Sequence, residues 1–228
     1  MASARKGARP RTPAITREAL ITAGLAVLTR EGFDALSMRK VAAELGVQAA
    51  SLYWHVQDKE ELLDLLADSL LWDARKLKTD GDWAENLRAM AHAYRCHMNT
   101  HRDSARVLAG RIVPGPNLLY VLDTALGWLR TAGFSNADAA YATRMLATYV
   151  QGFVLQEQLP RSSLGPHGAT PEAIGEAVTE AFRSAPVDQY PNVVALADFV
   201  GSGSADDQFA YGVDRLIEGL RTRLVGGG

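Results

Sequence analysis

The sequence predicts an all-α chain: a small N-terminal helix-turn-helix unit followed by a larger helical body. Three observations carry that expectation. Apolar residues recur at i, i+3, i+4 and i+7 through most of the 228 residues, the period of an amphipathic helix. No stretch sustains the period-2 alternation, rich in β-branched residues, that marks a strand. Turns containing Gly or Pro separate the periodic stretches, at Gly32, Gly46, Gly81, Pro114, Gly133 and Pro160.

Each element follows from its own signals. The first helix is expected over 16–30, with Leu20, Ala23, Gly24, Val27 and Leu28 on one face and Gly32 as its stop. Ser37 is placed to cap a second helix ending at Gly46, which permits a left-handed turn. A third helix runs through 50–56. Asp58 followed by Glu61 is an Asp variant of a capping box, opening a fourth through Leu62, Leu63, Leu66, Leu70 and Leu71. Asp80-Gly81 breaks the chain before a helix over 83–101. The Pro114-Gly115-Pro116 turn precedes another, ending near Gly133-Phe134. Ser135 or Asn136 then caps a long helix reaching Gln158, closed by Pro160. Residues 160–171 read as a loop, 171–184 as a helix, the stretch holding Pro186 and Pro191 as weakly structured, and 201–204 as a linker. The last helix, over 206–224, aligns Phe209, Gly212, Val213, Leu216, Ile217, Leu220 and Leu224 in a stripe wide enough for a helix–helix interface.

Composition narrows the class. With 47% hydrophobic and 22% charged residues the chain reads as folded and globular. No run of 18 apolar residues suggests a membrane span, and no apolar stretch follows the basic first 17 residues as in a signal peptide. Cys96 is the only cysteine, so no intrachain disulfide forms, in keeping with a reducing cytoplasm, the expected location. The net charge of −2 divides into +4 over residues 1–59 and −6 over 60–228. That asymmetry suggests a basic head for a polyanion on an acidic body.

In the head, Val41, Ala42 and Leu45 are expected to form a small core with Leu20, Val27, Phe33 and Leu36. The third helix then buries Leu52 and Val56 and leaves Ala49, Ala50, Ser51, Tyr53, Trp54 and His55 towards solvent. Tyr, Trp and His can hydrogen-bond phosphate oxygens or pack on sugars and thymine methyls, Ser51 can reach a phosphate or base edge, and Lys59 is placed for another phosphate. Such a segment suits a helix entering a DNA major groove. A helical hairpin with Tyr53 and Trp54 in its core satisfies the same periodicity.

The segment LSMRKVAAELGVQAASLYWHVQDKEELLDLLAD resembles the DNA-binding domain of the TetR family of bacterial one-component repressors. Weaker similarity continues through HRDSARVLAG at 101–110, the AGFS turn at 132–135 and the last helix. The resemblance implies a DNA-binding domain over 16–60 and a helical ligand-binding and dimerisation domain over 61–225, preceded by a flexible basic arm over 1–15. It implies that Ser37 and Arg39 contact operator backbone or bases, and that Tyr53, Trp54, His55 and Lys59 hold phosphates. The tetracycline-responsive members carry Gln then Pro at the base-reading positions matched by Ala49-Ala50. A methyl group offers no bidentate contact, so the resemblance implies a different operator, read through Arg39, Ser51, thymine methyls or DNA shape.

The arm holds Arg5, Lys6, Arg9, Arg11 and Arg17 with no acid before Glu18, and Pro10 and Pro13 keep it extended. It is either a solvated tail or an arm that lays arginines in the minor groove. In the body, His92, His97 and His101 share one expected helix, but no further ligand cluster accompanies them, so neither a metal nor any other cofactor is expected. The His101-Arg102-Asp103 and Gly201-Ser202-Gly203 tracts lack the partners of a kinase loop or dinucleotide site. The resemblance matches a magnesium-binding histidine of the drug-binding members with Leu108 and a drug-holding asparagine with Met90, both apolar here. Candidate pocket residues are Met90, Tyr94, His97, Leu108, Arg111, Trp128, Tyr149 and Phe153, which suit an aromatic or polyketide-like effector with one or two polar groups.

The helices over 136–158 and 206–224 are expected to pair with their copies in a two-fold bundle. Together these features point to a homodimeric, ligand-responsive repressor of double-stranded operator DNA, with no membrane partner. A constitutive regulator or activator without an effector is the alternative. A small-molecule-modifying enzyme is disfavoured because no nucleophile–base constellation is visible.

Overall fold

A computed structural model describes residues 15–71, 76–77, 80–159, 170–202 and 204–225. Among them lie twelve helices: α1 (Arg17–Glu31), α2 (Met38–Glu44), α3 (Ala49–Leu52), α4 (Lys59–Leu70), α5 (Trp83–Asn99), α6 (Ser104–Leu108), α7 (Pro116–Thr131), α8 (Asn136–Gln158), α9 (Pro171–Arg183), α10 (Pro191–Ala195), α11 (Ala197–Ser202) and α12 (Ala205–Val225). They gather into two compact units, one of Met1–Asp73 with His97–Val121, the other of Ala74–Cys96 with Leu122–Gly228.

In the first unit side-chain caps set the helix starts, as expected at Ser37 and Asp58 and newly at Thr16. The Thr16 side chain accepts a hydrogen bond from the Ala19 N–H, Ser37 from Lys40, and Asp58 from Glu61. The Glu61 carboxylate in turn accepts from the Gln57 N–H at 2.6 Å. That is one residue outside the position of a capping box, and it holds the bend before α4. Helix α1 packs on α2 and α4, α2 on α3, and α4 on α6. Leu20, Val27, Leu28, Leu36, Val41, Leu52, Val56, Leu62 and Leu66 are almost wholly buried between them. Each such side chain contributes about 1.5–3 kcal/mol, so this small core is a main tie between the head's three helices and α4. Asp68, buried on α4, accepts from the Leu118 N–H at 3.1 Å and from the Asn117 side chain, and so satisfies the open end of α7.

Two expectations are corrected. The third helix does not run over 50–56. It is a single turn, Ala49–Leu52, after which the His55 and Val56 N–H groups both donate to the Leu52 carbonyl, at 2.8 and 3.0 Å. The chain tightens there because Val56 must return to the core, where it is 1% exposed. Tyr53, Trp54 and His55 therefore occupy a turn rather than a helix flank. Second, the stretch holding Pro191 is partly helical, as α10, and α11 runs through Gly201 and Ser202 into the expected linker at 201–204, of which Ser204 lies outside any helix. Pro191 opens α10 at its first turn, where a missing N–H removes no hydrogen bond. The short α6 was not anticipated either, and the expected loop at 160–169 lies outside the described residues.

In the second unit α8 packs on α12, and α9 on α10 and α11. Phe209 on α12 is fully buried, stacked on Tyr149 (5.5 Å between ring centres) and edge-on to Phe153 (5.1 Å) and His92 (5.1 Å). Gly212 makes room for this packing, since a Cβ there would collide with the Tyr149 hydroxyl. No helix among the described residues is long and apolar enough to cross a membrane.

Candidate DNA-binding head and effector site

Exposure separates the two readings of the head. Trp54 is 89% exposed and Tyr53 55%, so neither is the core of a hairpin. Both project with His55 from the turn that follows α3. Exposed aromatic side chains clustered on one turn are available for contact rather than committed to packing. Ala50 is exposed, Ala49 and Ser51 half-buried. An open cleft of about 510 Å³ runs along this edge, lined by Ile15, Gly46, Val47, Gln48, Ser51, Trp54 and His55. Gly46 adopts φ 67° at the turn between α2 and α3, as the sequence suggested. Ser37 caps α2 and Arg39 stands exposed two residues later. Gln48, on the cleft wall, is the polar side chain beside α3 that sequence reasoning left out. Arg5, Lys6, Arg9 and Arg11 lie outside the described residues.

A second constellation binds the turn between α1 and α2 to the turn before α6. Asp103 adopts a left-handed φ of 58°, and its carboxylate accepts the Phe33 N–H at 2.9 Å. Gly32 lies against it at φ 86°, with space for no Cβ: one would stand 2.8 Å from Asp103 Oδ2. Arg106 grips Asp34 with two bonds of 2.7 and 2.9 Å and lies 4.7 Å from the Phe33 ring centre. That grip holds the Asp34 carboxyl below its usual range. Lys59 stands 5.4 Å from the same ring. His101 Nδ1 is 3.3 Å from the Thr29 hydroxyl oxygen and its ring 5.7 Å from that of His97, and burial pushes its pKa down. The ties of Phe33 to Asp103, Asp34 to Arg106 and Thr29 to His101 were not visible in the sequence, because the partners lie about 70 positions apart.

The candidate effector residues divide between the two units. His97, Leu108 and Arg111 belong to the first. There Leu108 is buried, and the Arg111 guanidinium is bound by the carboxylates of Glu60 and Asp64 on α4. Burial works against that cation's charge, and the two carboxylates more than offset it, raising its pKa. Met90, Tyr94, Trp128, Tyr149 and Phe153 belong to the second unit. Tyr149 and Phe153 meet across Phe209, and the Tyr149 hydroxyl donates to α12 carbonyls at 3.1–3.2 Å. Tyr94 accepts a hydrogen bond from Gln151 at 3.1 Å, and burial pushes its phenol up to about 12. Arg95, not among the candidates, lies over Phe153 and Phe209 and is bound by Glu157 at 2.5 and 3.0 Å and Asp206 at 2.7 Å. No group of three or more His, Cys, Asp or Glu among the described residues gathers as a metal site.

A helix-turn-helix head with an exposed aromatic reading edge, carried by an all-helical body, defines the class: a DNA-binding transcriptional regulator of the one-component kind. Two family descriptions match the chain, "Bacterial regulatory proteins, tetR family" over residues 20–66 and "Tetracyclin repressor-like, C-terminal domain" over 77–224. The class A tetracycline repressor protein from transposon 1721 of Escherichia coli is 34% identical over 209 residues, covering 90% of each chain. Among solved structures, apo ActR from Streptomyces coelicolor superposes with a TM-score of 0.81 at 31% identity, over 94% of this chain and 98% of that one. ActR in complex with actinorhodin gives 0.79 at 33% identity, over 91% and 97%. The chain belongs to the TetR family of bacterial regulators.

Proposed function

We propose that the chain is a homodimeric repressor that binds a palindromic operator through α2, α3 and the turn at 53–55, and is released when an aromatic, polyketide-like molecule binds its C-terminal domain. The observation that carries the DNA contact is the near-complete exposure of Trp54 beside Tyr53 and His55, groups suited to phosphate and sugar rather than to solvent. Ser37, Arg39, Ser51 and Lys59 complete the contact, and Ala49-Ala50 restrict base reading to methyl contacts and DNA shape. The basic arm over 1–14, which meets the described chain at Ile15 on the cleft wall, extends the contact into the minor groove.

The effector class is supported by the actinorhodin-bound relative and by the apolar residues Met90 and Leu108. Dimerisation through α8 and α12 is supported by Tyr141 and Tyr211, exposed at 72% and 68% on these two helices. Paired through them, two heads would sit about 34 Å apart, one turn of DNA. A ligand that favours a wrongly spaced state by a few kcal/mol then releases the operator.

The test is a mobility shift on DNA flanking the chain's own gene, with and without a panel of polycyclic aromatic compounds. Retardation that the panel reverses is expected. Absence of retardation refutes the repressor, and retardation that nothing reverses favours a constitutive regulator.

A further inference from the structure

Tyr94 on α5 and Gln151 on α8 are joined by one hydrogen bond, 3.1 Å long. The residues that flank the pair on its two helices are apolar. Met90 and Ala91 occupy the preceding turn of α5, and Val150 and Val154 flank Gln151 on α8, all buried. A phenol carries one donor and two acceptor positions, and a primary amide two donors and a carbonyl. The single bond between them uses one of each. No other partner for either side chain occurs among the described residues. Turning the amide over exchanges the roles of its two ends, and in either orientation at least one donor and one acceptor of the pair stay open.

The acceptor end of the pair is not fully enclosed. No buried side-chain nitrogen or oxygen among the described residues lacks a hydrogen-bond partner. The Gln151 carbonyl oxygen has none, so it is not sealed from visitors. Tyr94 in turn stays a neutral donor throughout the physiological range, because burial raises its phenol to about 12. A donor and an acceptor side by side in an apolar wall select a ligand offering the complementary pair on adjacent atoms. A lone carboxylate is a poor match, since the amide oxygen repels it.

We infer that the Tyr94–Gln151 pair is an effector-reading site for a neutral aromatic ligand that bears a hydroxyl beside a second oxygen, as in an ortho-dihydroxy or hydroxy-keto ring. This rests on the ligand-responsive reading above and sharpens it to a chemical feature of the ligand. It adds Gln151, a residue in no sequence-derived set.

The test uses the full chain and two probes that stay neutral at pH 7, 2,3-dihydroxynaphthalene and its dimethyl ether, titrated calorimetrically with a chelator present. Both probes can accept from Tyr94, and the diol alone can also donate to Gln151. The native chain should bind the diol about 3–10-fold more tightly, the value of one neutral hydrogen bond. Gln151→Leu should erase that ratio, and Tyr94→Phe/Gln151→Leu should bind both probes equally and more weakly. Thermal unfolding of the free variants checks that they fold, and Gln151→Met serves if the leucine variant does not. Equal binding of both probes by the native chain, an unchanged ratio in the Gln151 variant, or no binding of either probe overturns the inference. Operator release by other polycyclic compounds in a parallel mobility shift would leave the repressor reading standing in each case. Its loss with every compound would remove that reading as well.

Discussion

Truncating Asp103 tests whether the turn before α6 anchors the DNA-binding head. The Asp103 side chain is 13% exposed and its carboxylate accepts the Phe33 N–H at 2.9 Å. A hydrogen bond to a charged group that leaves its partner buried and unpaired is worth about 1.5–3 kcal/mol. Asp tolerates the left-handed region, and Ala there costs about 1–2 kcal/mol more. Asp103→Ala should therefore destabilise the chain by about 2.5–5 kcal/mol. Asp103→Asn keeps both an acceptor and the backbone preference. It loses the charge assistance of that bond, about 1 kcal/mol, and long ion pairs to Arg102 and Arg106, of 3.8 and 3.9 Å, worth less than about 1 kcal/mol. Asp103→Gly regains φ freedom but not the acceptor and should fall between. Urea unfolding at neutral pH reads the order, and amide exchange at Phe33 should quicken in Ala and Gly but not in Asn. An Ala variant within about 0.5 kcal/mol of the native chain, or Ala and Asn variants of equal stability, would refute the anchoring role.

Other outcomes follow from the same geometry. Trp54→Ala should weaken operator binding in a mobility shift while moving the unfolding midpoint little, because an 89% exposed side chain contributes little to the fold; a large loss of stability would contradict a contact role. Deleting residues 1–14 should weaken operator binding and flatten its dependence on log salt by about 0.9 for each phosphate the arm neutralises, and an unchanged slope would remove the arm from the interface. Burial lowers the His101 pKa, so the unfolded chain takes up a proton that the folded chain resists. Stability should be fully present above about pH 6.5 and decline as pH falls below it. His101→Asn should lessen that decline in urea titrations across pH 5–7, and an unaltered pH profile would assign it to other groups.

Local chemistry was the legible part of this fold. Ser37, Asp58 and Ser135 cap helices as the sequence suggests, since a cap needs only its own residue and one three positions on. Helices of five or six residues such as α6, α10 and α11 present too little periodicity to be seen. Apolar spacing overextends the recognition helix because Val56, buried as expected, returns to the core through a turn that such spacing cannot distinguish from helix. At the candidate site, exposure of Tyr53 and Trp54 was legible from residues of the wrong type for an ordinary surface helix. The Asp103–Phe33 tie and the Tyr94–Gln151 pair were not. They span 70 and 57 positions, and their meaning lies in which hydrogen-bonding groups remain open once the helices pack.

That same distinction explains how a chain of net charge −2 can hold DNA. Many acids of the first unit are already engaged. Glu31 pairs with Arg30 and Lys40, Glu44 with Arg30, Asp34 with Arg106, and Glu60 and Asp64 with Arg111. Arg17, Arg39 and Lys59 make no ion pair among the described residues. A phosphate near the head thus meets unpaired cations, while the paired ones offer a field cancelled within a few ångströms. Arg39 and Lys40 make the comparison sharp, being neighbours on α2 with the same formal charge and opposite circumstances. Arg39→Ala should reduce operator affinity and lower the salt slope by about 0.9, the loss of one released counterion. Lys40→Ala, which removes the partner of Glu31 instead, should leave the slope nearly unchanged. Equal slope changes in the two variants would show that formal charge, not pairing, governs the head's hold on DNA.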